Sequence, residues 1–146
     1  LWINLFPDKI WKLISKVDIL MLNKEEAMQL SGKIDLNAIA DCFLNLGPKI
    51  VIIKKGSQGS LLAYKNNKTN ISVVSNTKLI DPTGAGDSFA GGFLGYIAIN
   101  GMNNPLQAIL HGTAVASYTV SGFGLENLFK IDKNDLNKKI NQITFD

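Results

Sequence analysis

The sequence contains no arginine: all 15 basic residues are lysine, set against 12 acids, for a net charge of +3. Arginine is the usual planar clamp for phosphate. Any anion bound here must therefore be held by lysine as a point charge or by backbone N–H groups. The lysines are scattered, with no block longer than the pairs Lys54-Lys55 and Lys138-Lys139. That argues against a nucleic-acid surface, which clusters its basic residues. Cys42 is the single cysteine, which excludes a disulfide framework and a zinc–cysteine cluster. It falls in the helical pattern Ile39, Cys42, Phe43, Leu46 and reads as a small core residue. No apolar run approaches the roughly 18 residues of a membrane span, and no signal-peptide pattern is visible, so a cytoplasmic location without membrane contact is the simplest reading. Hydrophobic residues make up 46% and charged residues 18%, a balance that forms a core rather than a disordered chain. A length of 146 residues suits one domain.

Glycine, by contrast, is concentrated where it matters. Asp81 to Phe93 reads D-P-T-G-A-G-D-S-F-A-G-G-F. The apolar pair Leu79-Ile80 leads in as an extended segment, and Ser88 to Ile99 has the length and apolar content of a helix. A glycine loop at a helix N-terminus exposes N–H groups that no intrahelical carbonyl satisfies, and the helix dipole adds partial positive charge. Together these suit an anion, above all a phosphate. Two familiar loops are excluded. Gly86 is followed by Asp87 rather than the lysine of G-x-x-x-x-G-K-[ST]. Phe89 stands where G-x-G-x-x-G needs its third glycine. What remains is T-G-A-G-D. The small residues Gly84, Ala85 and Gly86 permit close backbone approach, and Asp87 can accept a proton from a hydroxyl held opposite a phosphate. That combination is what phosphoryl transfer to an alcohol needs. The competing reading of Asp87 alone is a helix cap.

The full thirteen-residue string is more specific than its parts. It resembles the C-terminal motif of the ribokinase-like (PfkB) carbohydrate kinases, D-T-x-G-A-G-D-x-F-x-x-G, through Asp81, Gly84, Ala85, Gly86, Asp87, Phe89 and Gly92. Pro82 replaces the commoner Thr. The resemblance runs over essentially the whole chain, whereas members of the family have about twice its length, in keeping with a large α/β domain. Because the sequence opens at Leu1 within an apolar stretch, the expectation is a C-terminal half, with the N-terminal half and its lid absent.

The remaining pattern is alternating. Phe6 to Lys16 has helical spacing with Pro7 in a first turn. Val17 to Leu22 reads as a buried parallel strand. Lys24 to Ser31 reads as a helix stopped by Gly32, and Leu36 to Leu46 as another. Ile50 to Ile53 is a β-branched strand. Gly56 and Gly59 bracket a turn, and Ser60 to Tyr64 returns as a hairpin strand. Lys65 to Asn70 reads as a polar turn and Ile71 to Val74 as a third strand. Phe89, Phe93, Tyr96 and Ile97 form one apolar stripe. Gly91, Gly92 and Gly95 each cost a helix about 1 kcal/mol relative to alanine, which suggests close approach of a neighbour. Leu106 to Val120 is a helix rich in small residues, Ser121 to Gly124 a loop, and Asp132 to Ile140 a terminal helix with a lysine-rich exposed face.

The resemblance implies further roles. Asn23 and Glu26 match the family's N-x-x-E segment, which helps order Mg2+ through water; the same residues also read as a capping box, and the two readings are compatible. Lys54 stands where the family has Thr ahead of Gly56, in a loop that touches the nucleotide. It is either a phosphate contact or a solvated lysine at a strand end. Thr83 is expected at the nucleotide. His111, the only histidine, is either structural or beside the nucleotide base or ribose. Asp81, with carbonyls of the Ser121 to Gly124 loop, is the family's place for a monovalent cation such as K+. The expected fold is α/β, the partial C-terminal portion of a three-layer α/β/α ribokinase-like sheet. The expected activity is transfer of the γ-phosphoryl group of ATP to an alcohol of a sugar or nucleoside. Asp87 is the base and Gly84, Ala85 and Gly86 form the anion hole. The isolated chain is expected to be weak or inactive, and the resemblance leaves room for a homodimer of the full-length protein. The alternative is a non-catalytic nucleotide-binding or regulatory module derived from a kinase.

Overall fold

The computed structural model describes residues 2–146 (for Trp2 and Asn4, the backbone only). They form seven helices and four strands in the order α1 (Trp2–Leu5), α2 (Pro7–Ile14), β1 (Ile19–Asn23), α3 (Lys24–Ser31), α4 (Leu36–Leu44), β2 (Ile50–Lys54), β3 (Ser60–Tyr64), β4 (Asn67–Ile71), α5 (Ala85–Asn100), α6 (Pro105–Val120) and α7 (Lys133–Ile140). The chain divides into two compact units, Leu1–Asn70 and Ile71–Asp146.

The first unit is a mixed sheet of order β1-β2-β3-β4. β1 runs parallel to β2, and β2 is antiparallel to β3. Strand alternation sends Leu20, Val51, Ile53, Leu61 and Ala63 to one face, where they form a core with Ile14, Ala27, Leu30, Ile39, Ala40 and Phe43 from α2, α3 and α4. The opposite-face residues Ile50, Ile52 and Leu62 are also buried, so β2 reads as a continuous apolar run rather than an alternating one. Cys42 is a half-buried free thiol.

The hairpin extends further than the sequence suggests. Lys65 to Asn70 is not one polar turn: only Lys65 and Asn66 turn, with Lys65 at φ 52, and Asn67–Ile71 is the strand. β4 is a mostly exposed strand, so it carries polar side chains that imitate a loop. Beyond Ile71 the expected strand dissolves. Ser72 N–H donates to Thr144 O at 2.9 Å, and Ile71 forms a single bridge with Phe145.

The second unit is built on α5 and α6. Gly92 and Gly112 set their separation: a Cβ on Gly92 would sit 3.0 Å from Gly112 Cα, and one on Gly112 would sit 2.7 Å from Phe89 O. Only Gly92 bears out the expected close approach, since Gly91 and Gly95 face open space. Phe89 and Phe93 are buried, while Tyr96 and Ile97 are half-buried. The lysine-rich face of α7 is mixed. Lys138 is exposed and pairs with Asp135 at 2.8 Å. Lys139 is half-buried instead, with its ammonium 4.0 Å from the Tyr118 ring centroid and donating to Ser117 Oγ at 2.9 Å.

Candidate active site

Asn23 ends β1 and caps α3. Its Oδ1 accepts from Glu26 N–H at 2.7 Å, and Glu26 Oε2 accepts from Asn23 N–H at 3.0 Å. The capping box closes this helix end, so two of its orphan donors are satisfied internally. β1 and β2 are in register with Asn23 opposite Lys54, and in a parallel pair such neighbours project to the same face. Across the hairpin Lys54 in turn opposes Ser60. Asn23, Lys54 and Ser60 thus make a polar row on one face, at the carboxyl ends of the two parallel strands. Gly56 follows at φ 60, exposed.

The glycine loop is organised differently. α5 starts at Ala85, three residues earlier than its apolar content suggests, because Gly84 takes the left-handed conformation (φ 77) as the N-cap. Gly86 and Asp87 therefore lie inside the first helical turn. Ala85 N–H donates to Pro82 O at 3.1 Å and Ser88 N–H to Gly84 O at 2.9 Å. The N–H groups of Gly84, Gly86 and Asp87 find no partner among the described residues. Ala85 thus differs from its neighbours: its donor is already used, and its contribution is a small side chain. Asp87 is exposed at the third helical position, where no side-chain cap is formed. Its carboxylate benefits from the dipole without serving as the cap.

Asp81 precedes the loop. Thr83 N–H donates to its Oδ1 at 2.9 Å, and this bond, then the Thr83 hydroxyl, holds the Asp81 carboxyl below its ordinary value. Asp81 and Ile80 both donate N–H to Val120 O, at 3.3 and 2.7 Å. The lead-in is therefore fastened to the end of α6, directly before the Ser121 to Gly124 loop. Leu79 and Ile80 are exposed coil rather than strand.

His111 lies elsewhere in the second unit. Its ring packs against Tyr96 at a tilt of 42°, with centroids 4.6 Å apart. Nδ1 donates to Gln107 O at 2.8 Å, since a carbonyl can only accept. In the neutral ring this leaves Nε2 as the acceptor. Tyr96 lies nine residues beyond Asp87, or roughly 13 Å along α5, so His111 is not brought to the glycine loop. It lines a cavity of about 540 Å3 with Gln107, Leu110, Asn137, Asn141 and Phe145. Among the described residues no three His, Cys, Asp or Glu side chains gather as a metal site. The Asn23–Glu26 pair, with Asn23 Oδ1 and Glu26 Oε2 in the cap, fits a water-mediated cation better than direct coordination. No helix among the described residues is long and apolar enough to cross a membrane.

Sequence reasoning missed Thr119 and Ser88. Thr119 Oγ1 donates to Ser88 Oγ at 2.7 Å, one residue past Asp87. The register of the two helices, visible only in the structure, is what pairs them. Tyr96 meets His111, Gly92 meets Val115 and Ser88 meets Thr119, so each step of four back along α5 matches four forward along α6.

Residues 1–131 match the pfkB family carbohydrate kinase profile. The chain is 34% identical over 120 residues to a ribokinase of Staphylococcus aureus, covering 79% of this chain and 39% of that protein. It is 34% identical over 127 residues to a nucleoside kinase of Methanocaldococcus jannaschii, covering 86% and 40%. The crystal structure of the Methanocaldococcus jannaschii nucleoside kinase, a ribokinase-family member, superposes with a TM-score of 0.75 at 28% identity, over 92% of this chain and 43% of that one. The chain therefore spans well under half the length of these relatives. With this fold, this loop and a match across nearly all of its sequence, the chain belongs to the pfkB family of carbohydrate kinases.

Proposed function

We propose that this chain forms the C-terminal part of a single kinase domain that transfers the γ-phosphoryl group of ATP to an alcohol group of a sugar or nucleoside. The observation that carries this reading is the open N-terminus of α5. The Gly86 and Asp87 N–H groups are unpaired there, and the Asp87 carboxylate is exposed in the same turn. Asp87 takes the proton of the acceptor hydroxyl. The alkoxide oxygen bonds to the γ-phosphorus as the bond to the bridging oxygen breaks, and ADP leaves with that electron pair. Donors at Gly84, Gly86 and Asp87 stabilise the charge that develops, while Ala85 lets the phosphate approach. No reorganisation is needed, since the donors are already unpaired.

Lys54 and Gly56 contact the phosphate tail, with Lys54 supplying the charge that no arginine supplies. Thr83 borders the nucleotide. His111 lies too far from Asp87 for the phosphate end and flanks the base or ribose, its Nε2 accepting a hydrogen bond. Asn23 and Glu26 hold waters of Mg2+, which when bound neutralises charge on the phosphate oxygens. Asp81 and the carbonyls after Val120 offer a place for K+. The rest of the kinase domain completes the acceptor site and lid, so these 146 residues alone turn over slowly or not at all.

The test is Asp87→Asn in the gene product that carries this chain, assayed with ATP and either ribose or cytidine. Turnover falls about 10²–10⁴-fold, as expected for loss of a general base, while ADP affinity stays within about threefold (less than 1 kcal/mol). Unchanged turnover would remove Asp87 from the chemistry. ADP binding without transfer by the wild-type protein would favour a non-catalytic nucleotide-binding module.

A further inference from the structure

Three other hydroxyls on or just beyond α6 bond back to their own backbone. Thr113 Oγ1 donates to Ile109 O at 2.8 Å, Ser117 Oγ to Ala114 O at 2.6 Å and Ser121 Oγ to Tyr118 O at 2.8 Å. This is the usual fate of Ser and Thr in a helix. Thr119 departs from it. Its side chain is directed out of α6, its hydroxyl donates to Ser88 Oγ, and the residue is only 2% exposed. Its Cγ2 methyl stands 3.8 Å from the position a Cβ on Gly84 would take. The next residue, Val120, holds the Ile80 and Asp81 N–H groups on one carbonyl. Two consecutive residues thus grip both arms of the glycine loop: Val120 the lead-in, Thr119 the first turn of α5.

We propose that Thr119 is a positioning residue for the glycine loop, acting through Ser88 to fix the Gly86 and Asp87 donors and the Asp87 carboxylate against the phosphoryl group. The physical reason is geometric. Gly84, with no Cβ, gives the loop conformational freedom that its φ of 77 requires. Freedom at the entrance of a helix whose first donors have no intrahelical partner invites fraying. A half-buried hydroxyl pair restrains that turn without occupying any of the three open N–H groups. The choice of Thr over Ser adds the methyl under Gly84. The proposal rests on the functional reading above for what the loop binds, but not for how the loop is held.

The test uses Thr119→Val, which keeps the methyl and removes the donor, together with Ser88→Ala, the double variant and Thr119→Ser. Two quantities are read in each: the 15N–1H shifts of Gly86 and Asp87 without ligand, and the dissociation constant of ADP. Thr119→Val and Ser88→Ala each displace both amide signals and weaken ADP binding about fivefold, the scale of one hydrogen bond. The double variant is no worse than either single variant, and Thr119→Ser restores both readouts. Gly86 and Asp87 signals unmoved in Thr119→Val, or losses that add in the double variant, overturn the proposal. Wild-type protein that does not bind ADP, with the amide shifts still moving and being restored as described, refutes the functional reading and leaves the clamp supported.

Discussion

Two helices of this chain face the same problem of orphan N–H groups and solve it in opposite ways. α3 begins at Asn23, whose side chain and that of Glu26 each satisfy the other's backbone at 2.7 and 3.0 Å. α5 begins at Gly84, which has no side chain to offer, and the donors behind it stay open. The closed end is anchored locally, by residues three apart. The open end is held from a distance, by Thr119 and Val120 on another helix. A helix end available to a ligand therefore needs support that does not use the ligand's own donors, and here that support comes from the α5–α6 pairing.

The largest effect follows from breaking that pairing. Gly112→Ala places a methyl 2.7 Å from the Phe89 carbonyl oxygen, a backbone atom that cannot swing aside. The two helices must separate, at a cost toward the upper end of about 1–3 kcal/mol. Gly91→Ala, on the same pair of helices but facing open space, instead gains about 0.5–1 kcal/mol from helix propensity. Urea unfolding of both variants checks the contrast. Equal effects would mean that the glycines are not spaced for contact.

The same contrast explains what could be read from the sequence. α3 was legible to the residue, from Lys24 to Gly32, because its cap, its box and its left-handed stop all lie within ten positions. The glycine loop reads as an anion site from the local order of its glycines and Asp87, and among the described residues the Gly84, Gly86 and Asp87 N–H groups have no partner. β4 reads as a turn because its pairing is decided by β3 and the sheet edge, not by its own polar side chains. The pattern starts α5 too late because glycines at a helix entrance look like loop, whereas Gly84 is the cap. The Ser88–Thr119 pair spans 31 positions, a separation over which no single-sequence pattern carries information. Asn23 and Lys54 each stand out in the sequence, but their adjacency follows only from the parallel register of β1 and β2.

Opening the closed junction is the intermediate case. Asn23→Ala removes the acceptor for Glu26 N–H and costs about 1 kcal/mol, the usual value of an N-cap. Asn23→Asp keeps an acceptor and restores most of that loss. If the pair also orders Mg2+, Asn23→Ala weakens Mg-ADP more than ADP alone, whereas a purely structural cap lowers both together. Denaturant midpoints and paired titrations with and without Mg2+ separate these outcomes.

The smallest effect concerns the one titratable support of the open junction. Thr83 lowers the Asp81 carboxyl below its ordinary 3.8, by its N–H first and its hydroxyl second. A carboxyl depressed in the folded state contributes stability that is present above the unfolded value and lost as pH falls through the folded one. Asp81→Asn keeps an acceptor for Thr83 but removes the charge. The wild type should therefore be slightly more stable than Asp81→Asn at neutral pH, and the gap should close only below 3.8. Because Thr83 N–H donates to the Asp81 carboxylate, the Thr83 amide signal of the wild type should move over that same acid window and move far less in Asp81→Asn. A stability gap that persists unchanged into strong acid would show that the Asp81–Thr83 contact does not depend on the charge of the carboxyl.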